Sequence, residues 1–285
     1  MHGKVCLITG ANSGIGKVTA LELARQGATV VMVCRNTAKG TAAQSEIRAA
    51  SGNTAVDLLL ADLSSLASVR ELAEAFQQRY PRLDVLINNA GIYRGRYTET
   101  SDGFEQTFAV NHLAPFLLTN LLRELLIASA PARIITVSSE GHRWARMDFN
   151  DLHGKRGYNG MRAYTQSKLA NILFTYELAR QLAGTGVTAN CLHPGGVATN
   201  FATEEAGLFG IIFRLMRPVL RTPEQGAATS VYLATAPTIA DVTGTYFRNQ
   251  RPARSSRTSY DQDTWQRLWL VSAELVGLPV LTADK

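Results

Sequence analysis

A doubly wound α/β fold, with a mainly parallel sheet of seven strands and helices on both faces, is predicted for this 285-residue chain. Two observations carry that expectation. Short runs rich in Val, Ile and Leu alternate with segments of helical period, and such alternation implies βαβ units. The apolar runs are near-continuous, as strands covered on both faces require. No repeat or low-complexity linker divides the chain, so one domain over residues 1–285 is expected.

The first strand falls at residues 4–9 (Lys-Val-Cys-Leu-Ile-Thr) and the first helix at 15–26. Strand 29–33, helix 37–50, strand 55–60, helix 66–79 and strand 85–88 follow. A long helix at 103–129 leads to strand 133–137. Residues 140–160, rich in Gly, Asn, Asp and Arg, read as a long loop before helix 162–183. Strand 187–192, helix 223–234 and a short strand at 245–247 complete the pattern. The bulky apolar run 207–220 carries Arg214 and Arg217. It reads as a helix packed on the core or on a subunit neighbour, as part of a substrate lid at about 200–222, or as a membrane-touching patch. Residues from about 248 to 285 read as a C-terminal extension.

Hydrophobic residues make up 46% of the chain and charged residues 18%, ordinary for a sizeable core and unlike global disorder. Cys6, Cys34 and Cys191 lie in or at the end of β-rich runs without zinc-ligand spacing. They read as small buried residues in a reducing compartment. His2, His112, His142, His153 and His193 also lack metal-ligand spacing, so no metal is expected. The first strand begins almost at once, leaving no room for a signal peptide or anchor ahead of it. No apolar run approaches the ~20 residues of a membrane span, and a cytoplasmic protein is expected. The net charge of +6 is scattered, its densest cluster being Arg248, Arg251, Arg254 and Arg257 in a Ser-rich loop. That pattern does not call for a nucleic-acid partner; a polyphosphate cofactor or simple solubility accounts for it.

After the first strand comes Thr9-Gly10-Ala11-Asn12-Ser13-Gly14-Ile15-Gly16, opening the first helix. Gly10 permits a tight turn, Gly14 lets backbone approach a pyrophosphate, and Gly16 lets helix and strand pack closely. The helix N-terminus then offers N–H groups to phosphate. The second strand ends in Cys34-Arg35-Asn36, without the carboxylate that would hold a ribose 2′-hydroxyl. A guanidinium there suits a 2′-phosphate, so NADP(H) is the expected cofactor, with Arg35 and Asn36 as candidate contacts. Asp62, with Leu63 after the third strand, can meet an adenine edge, cap the helix starting near Ser65, or do both.

Tyr164 and Lys168 stand one helical turn apart on a shared face. A phenol titrates near pH ~10, and a neighbouring cation lowers that value; a shift of about three units corresponds to roughly 4 kcal/mol.

Taken together, the Thr9–Gly16 turn, Asn88-Asn89-Ala90-Gly91, Ser138-Ser139, Tyr164-x-x-x-Lys168 and His193-Pro194-Gly195 resemble the short-chain dehydrogenase/reductases over nearly the whole chain. Asn12-Ser13-Gly14-Ile15-Gly16, Val110-Asn111-His112-Leu113-Ala114-Pro115-Phe116, Ser167-Lys168-Leu169-Ala170-Asn171 and Arg267-Leu268-Trp269 look like the retinol dehydrogenase branch. Relatives of protochlorophyllide reductase and of the WW-domain oxidoreductase are close alternatives.

The resemblance implies a single-domain Rossmann fold and a catalytic tetrad of Asn111, Ser139, Tyr164 and Lys168, with Ser138 shaping the strand end. It places Asn89, Ala90 and Gly91 at the cofactor cleft, and Pro194, Gly195, Val197 and Thr199 near the nicotinamide and its phosphates. His193 reads as a pocket-wall residue. The implied activity is a carbonyl reductase or alcohol dehydrogenase acting on a small to medium hydrophobic aldehyde or ketone, retinoid-like shapes included. A homodimer or homotetramer through helices 103–129 and 162–183 is the implied assembly. A non-catalytic NADP(H)-binding sensor on the same fold is the competing reading, and it requires a broken tetrad. A nucleotide-sugar epimerase, which shares Tyr-x-x-x-Lys, calls for a longer C-terminal substrate domain.

Overall fold

Eight strands form one sheet in a computed structural model that describes residues 1–196 and 221–279. The strands are β1 (Val5–Thr9), β2 (Thr29–Cys34), β3 (Val56–Leu60), β4 (Val85–Asn88), β5 (Ala132–Val137), β6 (Val187–His193), β7 (Thr245–Arg248) and β8 (Arg251–Pro252). Their order is β3-β2-β1-β4-β5-β6-β7-β8, parallel from β3 to β7 and antiparallel at β8. The winding reverses between β1 and β4, and a crevice opens beyond the carboxyl ends of the strands at such a reversal. The expected lid segment 207–220, with Val197 and Thr199, lies outside the described residues.

The helices are α1 (Gly14–Arg25), α2 (Thr37–Ser51), α3 (Leu66–Arg79), α4 (Gln106–Phe108), α5 (Ala114–Leu121), α6 (Arg123–Ala128), α7 (Gly160–Gln181), α8 (Pro223–Thr235) and α9 (Gln262–Leu275). They cover both faces of the sheet, and β1 shows why. Val5 and Leu7 join the core shared with α3, α5, α7 and α9, while Cys6 and Ile8 join the core shared with α1, α2 and α8. Alternate side chains of a strand point to opposite faces, so β1 must be apolar throughout. Each Leu or Ile so buried contributes about 2 kcal/mol of transfer free energy.

Asp84, buried just before β4, ties β4 to the start of β1. It accepts from Lys4 Nζ at 2.8 Å, the Val5 N–H at 2.9 Å and Arg82 Nε at 2.8 Å. Burial pushes its carboxyl up, but these donors outweigh burial and hold it below the ordinary carboxylate range.

Four departures from the sequence expectation have physical reasons. An eighth strand exists because Asn249 and Gln250, with φ of 52° and 61°, turn the chain back on β7. Helix 103–129 is not continuous. It starts at Gln106, passes through a π-helical turn at Ala109–Leu113, and breaks again at Leu122. Residues 140–160 are not all loop, since Glu140–Trp144 forms a 3-10 turn and α7 starts at Gly160. Finally, α9 lies in what reads as an extension. Trp265, Leu268, Trp269 and Ser272 repeat at helical spacing, and Trp269 packs on Phe116 and Phe174 with centroids 4.9 and 5.8 Å away. Thus α9 covers α5 and α7 from within the same chain. No described helix is long and apolar enough to cross a membrane.

Candidate active site

A cleft of about 520 Å³ runs along the carboxyl ends of β1, β2, β4, β5 and β6. Its wall gathers Gly10, Asn12, Ser13, Gly14, Ile15, Gly16, Arg35, Asp62, Leu63, Asn89, Ala90, Gly91, Ser139, Tyr164, Lys168, Pro194 and Gly195 from the sequence-predicted set.

Backbone builds the glycine end. Gly10 has φ of 67°, a conformation that disfavours a side chain. At Gly16 a Cβ would collide with the Gly10 carbonyl and the Asn89 amide, so only glycine allows α1 to sit this close to β1. Asn89 Nδ2 donates to the Thr9 carbonyl at 2.8 Å, and Thr9 Oγ1 accepts the Asn89 and Ala90 N–H groups at 3.0 and 3.1 Å. The turn after β4 is thereby stapled to the end of β1. Ser13 heads α1 without a side-chain cap, whereas Asn36, Ser65 and Asn159 cap α2, α3 and α7. A helix end left with bare N–H groups in a cleft is suited to a phosphate. The cradle therefore fits a dinucleotide.

Two residues of this half make hydrogen bonds within the chain. Asn36 stands outside the cleft wall and accepts the Lys39 N–H at 2.9 Å, so its side chain caps α2. Asp62 does not cap α3; Ser65 does, and Asp62 accepts the N–H and hydroxyl of Ser64 at 2.9 and 2.7 Å while facing the cleft.

At the other end, Ser138 Oγ donates to the Lys168 carbonyl at 2.7 Å and so docks α7 on the tip of β5. Ser139 Oγ accepts the Gly141 N–H at 3.2 Å and is hydrogen-bonded to the Tyr164 hydroxyl. Lys168, only 3% exposed, donates from Nζ to the Val137 carbonyl at 3.1 Å. Asn111 lies behind the wall in the π-helical turn. Its Oδ1 accepts the Ile92 N–H at 2.7 Å, and Nδ2 donates to the Ile92 carbonyl at 2.9 Å and to Ser167 Oγ at 3.0 Å. Gly91 separates the two groups, since a Cβ there would stand 3.2 Å from Lys168 Nζ and 3.4 Å from Asn111 Oδ1. A π-helical turn inserts one residue into a helix, and here it brings Asn111 to that point.

The charge balance departs from the sequence argument. Burial pushes the Tyr164 phenol up to about 12, and the Ser139 hydrogen bond pulls only partly the other way. Burial outweighs what the neighbouring ammonium contributes: Lys168 Nζ donates to Val137 O and lies 5.8 Å from the Tyr164 ring centroid. Burial also brings the Lys168 ammonium down to about 8. The protein alone therefore holds the phenol protonated and the ammonium mostly charged at neutral pH.

Residues Tyr93, Arg94, Gln106, Val110 and His193 also line this end, and only His193 was anticipated as a wall residue. The Tyr93 ring meets Tyr164 edge-on at 6.3 Å, and Arg94 Nε donates to Gln106 Oε1 at 2.8 Å. The available signal was position: Tyr93 and Arg94 follow the Asn89-Ala90-Gly91 turn with only Ile92 between.

A dinucleotide cradle joined to a Ser–Tyr–Lys wall on a doubly wound sheet defines a class, and the chain belongs to the short chain dehydrogenase family, which it matches over residues 4–207. It is an oxidoreductase of that family, retinol dehydrogenase-like. The chain is 46% identical to retinol dehydrogenase 14 of Mus musculus, with 98% of this chain and 87% of that protein covered. A solved structure from Mycobacterium paratuberculosis is similar at 35% identity with a TM-score of 0.78, covering 98% and 96% of the two chains. A short chain dehydrogenase from Burkholderia cenocepacia, solved in complex with NADP, is similar at 27% identity with a TM-score of 0.69, covering 86% and 96%.

Proposed function

We propose that the chain transfers a hydride between NADP(H) and the carbonyl or alcohol carbon of a small to medium hydrophobic substrate. The observation that carries this is the meeting of Ser139, Tyr164 and Lys168 in one wall of the cleft that begins at the glycine turn. The bound nicotinamide supplies or takes up the hydride. Ser139 donates a hydrogen bond to the substrate oxygen and orients it. Tyr164, protonated at neutral pH, gives that oxygen its proton in reduction; in oxidation the phenol first releases its proton towards solvent, and the phenolate then takes the proton of the alcohol. Lys168 binds the nicotinamide ribose, and Asn111 holds the water through which Lys168 exchanges protons with solvent.

Gly10, Asn12, Ser13, Gly14, Ile15 and Gly16 would cradle the pyrophosphate, and Arg35 the 2′-phosphate. The NADP bound to the Burkholderia relative supports the choice of cofactor. Asp62, Leu63, Asn89, Ala90, Gly91, Pro194, Gly195, Val197 and Thr199 complete the proposed cofactor set; Asn36 serves it only by capping α2. Ile92, Tyr93 and Val110 give the carbonyl end its apolar surface. Together with the name of the mouse relative, they favour aldehydes of medium length or retinoid shape. The free, buried Cys6, Cys34 and Cys191 support a reducing, cytoplasmic setting. A homodimer or homotetramer through α5 and α7 would have to accommodate α9, which lies over both.

The test is a panel of aldehydes and ketones offered with NADPH and with NADH, following loss of reduced cofactor. NADPH should be consumed with medium-length or retinoid aldehydes and NADH much less. Tight NADPH binding without turnover across the panel would replace this proposal with the sensor reading.

A further inference from the structure

His142 is fully buried in the 3-10 turn that follows Ser139. Its Nδ1 lies 2.6 Å from the Ser139 carbonyl, and its Nε2 lies 3.0 Å from the Ser256 backbone nitrogen. A carbonyl only accepts and a backbone N–H only donates. The ring must therefore carry its proton on Nδ1 and leave Nε2 bare, which selects one tautomer of the neutral form. Its protonation would set an Nε2–H against the Ser256 N–H.

The far end of this bridge is firmly held. Ser256 and its neighbours belong to the Ser-rich stretch after β8, and Ser255, Ser256 and Ser259 are buried. Ser255 Oγ meets the Tyr176 hydroxyl of α7 at 2.7 Å and Ser259 Oγ at 2.6 Å. Ser259 Oγ donates to the Ser256 carbonyl at 2.6 Å, and Trp265 Nε1 of α9 donates to the Ser259 carbonyl at 2.7 Å. The near end is Ser139 itself, whose carbonyl also accepts the His142 N–H at 3.2 Å.

Several charged or titratable groups surround the ring. Glu140 of the same turn is paired with Arg143 and faces Arg248 of β7 at 3.8 Å. Tyr246 of β7 packs on the ring at 5.1 Å and donates to Glu140 Oε2 at 3.2 Å. His193 of β6 accepts the Glu140 N–H at 3.2 Å. Burial holds His142 below the ordinary histidine range; the Ser139 carbonyl opposes this and Arg143 reinforces it.

We propose that His142 is a positioning residue for Ser139, and that the Ser256 N–H on the C-terminal segment completes it. Because the proposal rests on Ser139 as the carbonyl anchor, it deepens that reading. The Ser139 peptide is fixed by a ring anchored at both ends, and the peptide in turn fixes where the Ser139 hydroxyl points. Misplacement of a reacting group by about 1 Å can cost on the order of 100-fold in rate. A segment more than a hundred residues downstream, outside the cleft wall, thereby helps set the aim of the carbonyl anchor.

Paired amide substitutions separate the two ends of the bridge. In His142→Asn the side-chain NH₂ stands near the Nδ1 position and can still donate to Ser139 O. In His142→Gln the amide reaches the Nε2 position, where it can serve Ser256 but not Ser139. Turnover of a carbonyl substrate with NADPH should fall about tenfold or more in His142→Gln, which loses the Ser139 end, and about threefold in His142→Asn, which loses only the Ser256 end, with KM and NADPH affinity little changed in both. Full turnover in His142→Gln, or equal losses in the two variants, would overturn the proposal. If His142→Gln does not fold, Ser256→Pro takes its place, because Ser256 has φ of −66°, which proline adopts; proline deletes the N–H together with the hydroxyl that meets Thr258 Oγ1 at 3.1 Å, and Ser256→Ala is the control for the hydroxyl. A lowered kcat in Ser256→Pro is the expected result, and an unchanged kcat overturns the proposal. Ser139→Ala, run alongside, separates the two levels. If Ser139→Ala retains full turnover, Ser139 is not the carbonyl anchor; if it is inactive while His142→Gln turns over normally, only the clamp is lost.

Discussion

The two ends of the cleft are built differently. At the glycine end the chain offers backbone: a left-handed Gly10, a Gly16 with no room for a side chain, and a bare helix terminus. At the carbonyl end it offers side chains that distant segments hold in place. Lys168 is fastened to β5, Asn111 sits in a π-helical turn, and Ser139 is reached from the C-terminal segment through His142. A backbone cradle needs only the right residues in the right local order. A side-chain constellation needs the whole fold, and it carries a cost in burial: a 3% exposed ammonium and a phenol held up to about 12.

The comparison is broken most directly at the phenol. Tyr164→Phe should reduce turnover about a thousandfold, roughly 4 kcal/mol of barrier, while NADPH affinity stays within a few-fold. Turnover close to wild type would remove Tyr164 as the proton donor.

Lys168→Met probes the cost of the buried charge. Burial lowers the ammonium from 10.5 to about 8, so at pH 7, where it is protonated in both folded and unfolded chains, burying it opposes folding by about 3 kcal/mol. The penalty shrinks as pH rises from 8 towards 10.5, because the folded state sheds its proton first. The variant should therefore lose turnover yet resist urea better than wild type at pH 7, and this gain should fade by pH 10.5. A variant less stable than wild type at pH 7 would show that the Val137 hydrogen bond outweighs the desolvation of the charge.

At the glycine end the effects are smaller and selective. Arg35→Ala should weaken NADPH by about 30-fold, near 2 kcal/mol, and NADH only slightly, as measured by fluorescence titration. Equal losses would take the 2′-phosphate away from Arg35. Asn36→Ala is the smallest change: the lost cap should lower stability by about 1 kcal/mol and leave both cofactor affinities unaltered. An affinity loss there would return Asn36 to the cofactor site.

The same division explains what could be read from the sequence. The order of βαβ units, the glycine turn and the Tyr164–Lys168 spacing are local patterns, and each stands where its pattern implied. The roles of Asn36 and Asp62 were not legible because a side chain at a strand end can serve a cap, an Asx turn or a ligand, and composition does not choose among them. The π-helical turn at Asn111 was invisible because Ala109–Leu113 keeps an apolar pattern that an α-helix would also carry. Helix α9 had a readable stripe in Trp265, Leu268, Trp269 and Ser272, but its place over α5 and α7 is a tertiary fact. The raised phenol could not be anticipated from Lys168 at the fourth residue on, because burial of the ring is a tertiary fact.

The central claim is hydride transfer to a carbonyl carbon at Tyr164, and isotope tracing tests it most directly. NADPH deuterated at the transferable position of the nicotinamide is incubated with the protein and the aldehyde that performs best in the panel, and the alcohol is analysed by mass spectrometry. Expected is one deuterium on the carbinol carbon, formed by wild type and lost in Tyr164→Phe. Bound, unconsumed NADPH and an unlabelled product pool would contradict it.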